Sequence, residues 1–231
     1  MIPLKDDNPT ANFPLMTIIL IAVNILVFFL VQPMEQESRQ AFIMQFGFLP
    51  ARLFFHRGGE YLVPPFSTIF TSMFLHGGII HLAGNMLYLW IFGNNIEDIM
   101  GKVRFLLFYL LCGLSGALLQ GVLDTDSTVP MIGASGAISG VLGAYLLRFP
   151  RARVTVLIFF FYIMQFIKVP ASIVLGFWIV FQVLAGLGSL GGTGGGVAFF
   201  AHIGGFAAGL ALVSLFAKRR REYYGRWRPF A

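Results

Sequence analysis

The chain has 231 residues, of which 57% are hydrophobic and only 11% charged, with a mean hydropathy of +0.80. A soluble domain carries about 25% charged residues, so this composition excludes an ordinary soluble protein and requires much of the surface to face lipid. The net charge of +6 sits at the ends of apolar runs, where it sets topology and does not form a nucleic-acid patch.

In chain order, residues 1–12 are polar and are expected to be an unstructured inner segment. Phe13–Val31 is the first apolar run. It lacks a basic n-region and an A-x-A site, so it reads as an uncleaved anchor. Gln32–Pro65 is a long mixed connection whose FGFLP and RLFF stretches are expected to lie at the interface. Further runs follow at about 77–96, 104–123, 133–149, 171–187 and 197–217. A span needs ~20 mostly apolar residues. The expected fold is therefore all-α: one polytopic membrane domain over 13–217, a bundle of six transmembrane helices with both termini cytoplasmic. A basic tail, KRRREYYGRWRPFA, closes the chain over 218–231 and is expected to rest on anionic lipid headgroups.

Val154–Ile167 is apolar but only fourteen residues long, short for a span. Six spans leave only Arg39, Arg52 and Arg57 of the 16 Lys and Arg on the outer side. A seventh crossing would move Lys168 and the whole basic tail outside, against the positive-inside rule. This run is therefore expected at the inner interface or in a re-entrant turn. The single cysteine, Cys112, excludes an intrachain disulfide and reads as a packing residue.

The topology brings four polar side chains to one depth. Ser135 lies near the outer end of the fourth run, His202 near the outer end of the sixth, and His81 and Asn85 in the outer half of the second. Polar groups in lipid are costly and face the bundle interior. A serine hydroxyl needs a base within hydrogen-bond reach and donors for the oxyanion it creates. His202 is the candidate base; Asn85, His81 and the Ser135 backbone N–H, in the first turn of a helix, are the candidate oxyanion donors. Gly136 and Gly140 on the fourth run, beside Gly133 and Gly143, and Gly205 and Gly209 on the sixth have the spacing that lets helices pack closely. That packing would carry Ser135 to His202, although glycine pairs also occur in ordinary helix packing.

No Asp or Glu lies within the spans, so a Ser-His dyad is expected and not a triad. The G-x-S-x-G elbow fails because residue 137 is Ala. H-E-x-x-H is absent, and His76 and His81 are five apart with no carboxylate nearby, so neither a metal nor another cofactor is expected.

HGGIIHLAGN (His76–Asn85), GNNIEDIMG (Gly93–Gly101), GASG (Gly133–Gly136) and AHIGG (Ala201–Gly205) occur in this order on the second, fourth and sixth runs. In these motifs the chain resembles the rhomboid intramembrane serine proteases over roughly Phe66–Ala217. The resemblance implies a six-helix fold with Ser135 as nucleophile and His202 as general base. Asn85, His81 and the Ser135 N–H would lie at the oxyanion, and Glu97 would be a structural acid at the inner end. It implies transmembrane protein substrates that reach the site laterally beside the fifth span, and the Gly188–Gly196 connection would be a lid or a plain loop. The location expected is the plasma (inner) membrane of a prokaryote. Two positions depart from the family pattern. Ser67-Thr68 replaces a Trp-Arg pair of the first loop. Ser139 stands where many members stack an aromatic on the histidine, so His202 is held less rigidly or by another group. The rival functions are an inactive rhomboid-like scaffold that binds membrane clients and, less favoured without paired intramembrane carboxylates, a channel or transporter.

Overall fold

In a computed structural model, residues 2–57, 62–160, 163–189 and 197–218 are described. The expected basic tail beyond 218 and most of the expected lid, 190–196, lie outside them. The helices are α1 (Leu15–Leu26, ending in a π turn, Val27–Val31), α2 (Gln36–Phe46), α3 (Pro50–Phe55), α4 (Thr68–Thr71), α5 (Ile79–Met100), α6 (Lys102–Leu123), α7 (Ser135–Arg148), α8 (Ala171–Ser189) and α9 (Phe199–Phe216). Among the described residues, α6, α8 and α9 are long and apolar enough to cross a membrane. A fourth candidate is the bent pair Pro65–Phe74 and Ile79–Met100, with 82° between its halves. Leu15–Val31 is a shorter apolar helix, and α7 has only 14 residues.

Glycine sets the distances between the central helices. A Cβ on Gly205 would overlap the carbonyl oxygen of Gly136, and one on Gly209 that of Gly140. Gly143 faces the Phe206 carbonyl, and Gly116 on α6 faces that of Ala201. Backbone therefore touches backbone along α6, α7 and α9. Around this contact lies an apolar core that includes Leu89, Phe92, Phe108, Tyr109, Val141, Tyr145 and Leu175.

The fold is not purely helical, which corrects the all-α expectation. The first residues form β1 (Ile2–Asp6), and the short apolar run is a hairpin of β2 (Arg153–Phe160) and β3 (Ile163–Pro170). The three make one antiparallel sheet in the order β1-β2-β3. Val154, Thr155, Val156 and Ile158 explain the choice: β-branched residues fit a pleated, half-buried surface. Nor is the N-terminal segment unstructured. The Asn95 amide donates to the Asn8 carbonyl at 2.9 Å, and the backbone N–H groups of Ala11 and Asn12 donate to the Asp98 carboxylate at 2.9 and 3.0 Å.

Glu97, only 3% exposed, acts as the N-terminal cap of a different helix. Its carboxylate accepts from the backbone N–H of Met16 (2.9 Å) and Thr17 (2.7 Å) and from the Thr17 hydroxyl (2.8 Å). These are N–H groups that the first turn of α1 leaves unpaired. The same helix end bonds Lys218: its N–H donates to the Ile99 carbonyl at 2.8 Å. The starts of α1 and α6 and the end of α9 thus share one basic end of the molecule.

Candidate active site

Ser135 is the first residue of α7. The chain reaches it through Gly133, whose φ of +117° disfavours a side chain and whose N–H donates to the Ser72 carbonyl at 2.9 Å. A Cβ here would also lie 2.8 Å from His81 Nε2 and 3.6 Å from Asn85 Nδ2. Glycine therefore brings bare backbone against both polar side chains of α5, immediately before the serine.

The Ser135 hydroxyl lies 2.8 Å from His202 Nε2. On the other side of the ring, His202 Nδ1 lies 2.8 Å from Gln182 Oε1 on α8. An amide oxygen only accepts, so Nδ1 carries the proton and Nε2 keeps a lone pair toward Ser135. Trp178, one turn before Gln182, lies against the same imidazole, with ring centroids 5.8 Å apart and planes at 38°. Ser139 does not touch the histidine through its hydroxyl, which donates to the Ser135 carbonyl at 2.6 Å. The departure at 139 is thus met by another group: α8 supplies both the stacking ring and the hydrogen-bond acceptor.

The N–H of Gly77, just before α5, approaches His81 Nδ1 at a long 3.5 Å, a contact compatible with a ring proton on Nε2, which faces Gly133. Asn85 is buried, and its Nδ2 has no hydrogen-bond partner among the described residues. A buried donor without a partner is uncommon and expensive. Here it borders a cavity of about 450 Å³ lined by His81, Asn85, Gly133, Ser135, Trp178 and His202, among others. A second, larger cleft of about 950 Å³ shares His81, Met131 and Ala198 with it and opens between Arg39, Asp124 and Asp126. The site is thus continuous with a polar cleft.

The structure brings Ser135, His202, His81 and Asn85 together around one cavity. Glu97 lies away from it, at the opposite end of α5. Gln182 and Trp178 are absent from the reading of the sequence. The signal for Gln182 was present: it is the one amide in the otherwise apolar run 171–187, and such a group faces the interior.

Residues 64–219 match the family model of the rhomboid domain, so the chain belongs to the rhomboid family. It is 36% identical over 206 residues to Rhomboid protease GluP of Bacillus subtilis, covering 89% of this chain and 37% of that protein. It is 36% identical over 151 residues to RHOMBOID-like protein 4 of Arabidopsis thaliana, covering 65% of this chain and 34% of the relative. Rhomboid protein 1, mitochondrial, of Saccharomyces cerevisiae is 29% identical over 173 residues, covering 69% of this chain and 46% of the relative. The chain thus spans less than half the length of these relatives. Family membership and the apolar helices make it an integral membrane protein, of a family that includes a protease and mitochondrial members.

Proposed function

We propose that the protein is an intramembrane serine endopeptidase that cleaves transmembrane segments of other proteins, with Ser135 as nucleophile and His202 as general base. The observation that carries this reading is the 2.8 Å approach of Ser135 Oγ to a histidine nitrogen whose opposite nitrogen is held at 2.8 Å by Gln182. His202 Nε2 takes the hydroxyl proton as Oγ attacks the scissile carbonyl, and the carbonyl electrons move onto its oxygen. The Asn85 amide, the His81 Nε2–H and the Ser135 N–H supply donors to that oxygen. Collapse expels the amine, which leaves with the proton from His202. A water then releases the acyl group from Ser135 by the same steps in reverse roles.

In this reading the six long or apolar helices α1, α5, α6, α7, α8 and α9 are the spans, with both termini on the cytoplasmic side. The fourteen residues of α7 rise about 21 Å, less than the ~30 Å hydrocarbon thickness. Its first residue, Ser135, is therefore sunk below the outer surface, and the polar cleft gives water a path to it. A substrate helix must unwind at the cleavage point, because a helical carbonyl is already hydrogen-bonded. Lateral access runs beside α8. The relative from Bacillus, matched along most of this chain, favours the plasma membrane of a prokaryote.

The test is purified protein in proteoliposomes with a single-span substrate. Cleavage that disappears in Ser135→Ala supports the reading. Cleavage that persists removes Ser135 from its role, and a wild-type protein that binds the substrate without cutting it favours the inactive scaffold.

A further inference from the structure

The sheet at the basic end has two unlike faces. The register pairs Asp6 with Val154 and Pro3 with Val156. Val154 and Val156 are fully buried in the apolar core of the helices. This is the inward face. The alternation of strand side chains puts the intervening residues on the opposite face. There the cross-strand rows are ordered by chemistry. Lys5, Thr155 and Lys168 form one row, with exposed Arg153 on its side toward α8. Ile2, Leu157 and Phe166 form the next row, and Met164 leads the row beyond. Ile2 is 43% exposed, Phe166 66% and Met164 64%.

Rows on one face are ~7 Å apart. The outward face therefore passes from cations to large apolar side chains within ~7–14 Å, the scale on which a leaflet passes from phosphates to acyl chains. A face turned to water would not carry this contiguous apolar patch, and a face buried in hydrocarbon would not carry the cations. The free edge of β3 sets the depth. Among the described residues no strand pairs with it, and an open edge is not tolerated within hydrocarbon. It needs water, which the headgroup region supplies.

We propose that the β1-β2-β3 sheet is a lipid-docking face: the β3 backbone stays among the headgroups of an anionic leaflet, the Phe166 and Met164 side chains reach its acyl boundary, and Lys5, Arg153 and Lys168 bind its headgroups. Because β3 runs directly into α8 at Ala171, docking fixes the depth of the helix that carries Trp178 and Gln182 to His202. The proposal rests on the reading of the helices as spans and is independent of any chemistry at Ser135.

The test labels Phe166→Cys with an environment-sensitive dye; native Cys112 is buried, and the unsubstituted chain is the control. The protein is placed in vesicles of phosphatidylcholine alone or mixed with phosphatidylglycerol. Docking predicts a blue-shifted label, quenched more by a nitroxide high on the acyl chain than by aqueous iodide. Met164→Cys repeats this, whereas Lys168→Cys remains open to iodide. Replacing Lys5, Arg153 and Lys168 together with Gln removes the extra quenching conferred by phosphatidylglycerol. Full iodide access at Phe166→Cys overturns the proposal. Protection from both quenchers also overturns it and points to a covering protein, such as a second copy on the β3 edge. Serine labelling by a fluorophosphonate in the same vesicles separates the two readings: the quenching pattern is the same in Ser135→Ala, where that labelling is lost.

Discussion

Gln182 Oε1 sits 2.8 Å from His202 Nδ1, so the side chain that fixes this histidine's tautomer belongs to α8, not to the helices that carry the serine or the histidine. Removing the acceptor frees the ring to hold its proton on Nε2, where it cannot accept from Ser135. Gln182→Leu is expected to lower kcat by ~10- to 100-fold, a part of the ~10²–10⁴ that a general base contributes. KM for a transmembrane substrate should change little. A loss carried by KM instead would make Gln182 a substrate-binding group.

Asn85→Ala removes a buried donor that has no hydrogen-bond partner among the described residues. The expected cost is ~10²–10³ in kcat, the scale for one oxyanion donor, with the thermal midpoint near that of the wild type. Steady-state cleavage in detergent, paired with a melting curve, measures both. Equal activity in Asn85→Ala would remove this residue from the oxyanion.

The contact between α7 and α9 leaves no room for a methyl group. Gly205→Ala drives a Cβ into the Gly136 carbonyl oxygen, and Gly209→Ala does the same at Gly140. Each is expected to destabilise by about 1–3 kcal/mol and to weaken cleavage by pulling Ser135 from His202. Gly176→Ala on α8 meets nothing within 4 Å and should melt as the wild type does.

Glu97→Ala leaves the Met16 and Thr17 N–H groups and the Thr17 hydroxyl without their shared acceptor. A loss of about 3 kcal/mol or more is expected, since hydrogen bonds to a charged group contribute about 1.5–3 kcal/mol each. Glu97→Gln, which keeps one oxygen, should lose less. Thermal unfolding of the two variants ranks them.

Stability should also depend on Asp6. Burial raises its carboxyl above the ordinary 3.8, although the hydrogen bond donated by the Tyr145 hydroxyl at 2.5 Å works against the rise. The folded state therefore holds this proton more tightly than the unfolded chain. Its contribution is most favourable below pH 3.8 and is lost as the pH climbs through the raised value. Asp6→Asn should flatten that part of the stability profile and, at neutral pH, melt no lower than the wild type. Melting curves across the acid range test the sign.

The meeting of Ser135, His202, His81 and Asn85 was legible in the sequence because polar side chains are conspicuous in apolar runs, and the glycine spacing said which helices would touch. Gln182 carries the same signal, but no motif frames it. The role of Glu97 as the cap of α1 was not legible: the resemblance gave it a structural part, but the N–H groups it binds lie some eighty positions away in the chain. The sheet is not legible in length and charge, which weigh against a seventh crossing but say nothing about backbone conformation. Its β-branched residues held the clue. The N-terminal strand was hidden for a different reason: a five-residue segment acquires its structure only from the hairpin it pairs with.

In the proposed mechanism, Ser135 is a nucleophile because His202 withdraws its proton. Intact mass of the protein after exposure to a fluorophosphonate tests this most directly. One adduct, mapped to Ser135, is expected on the wild type and none on Ser135→Ala or His202→Ala, all three being folded by their melting curves. An unlabelled wild type, or His202→Ala labelled as fast as the wild type, would contradict it.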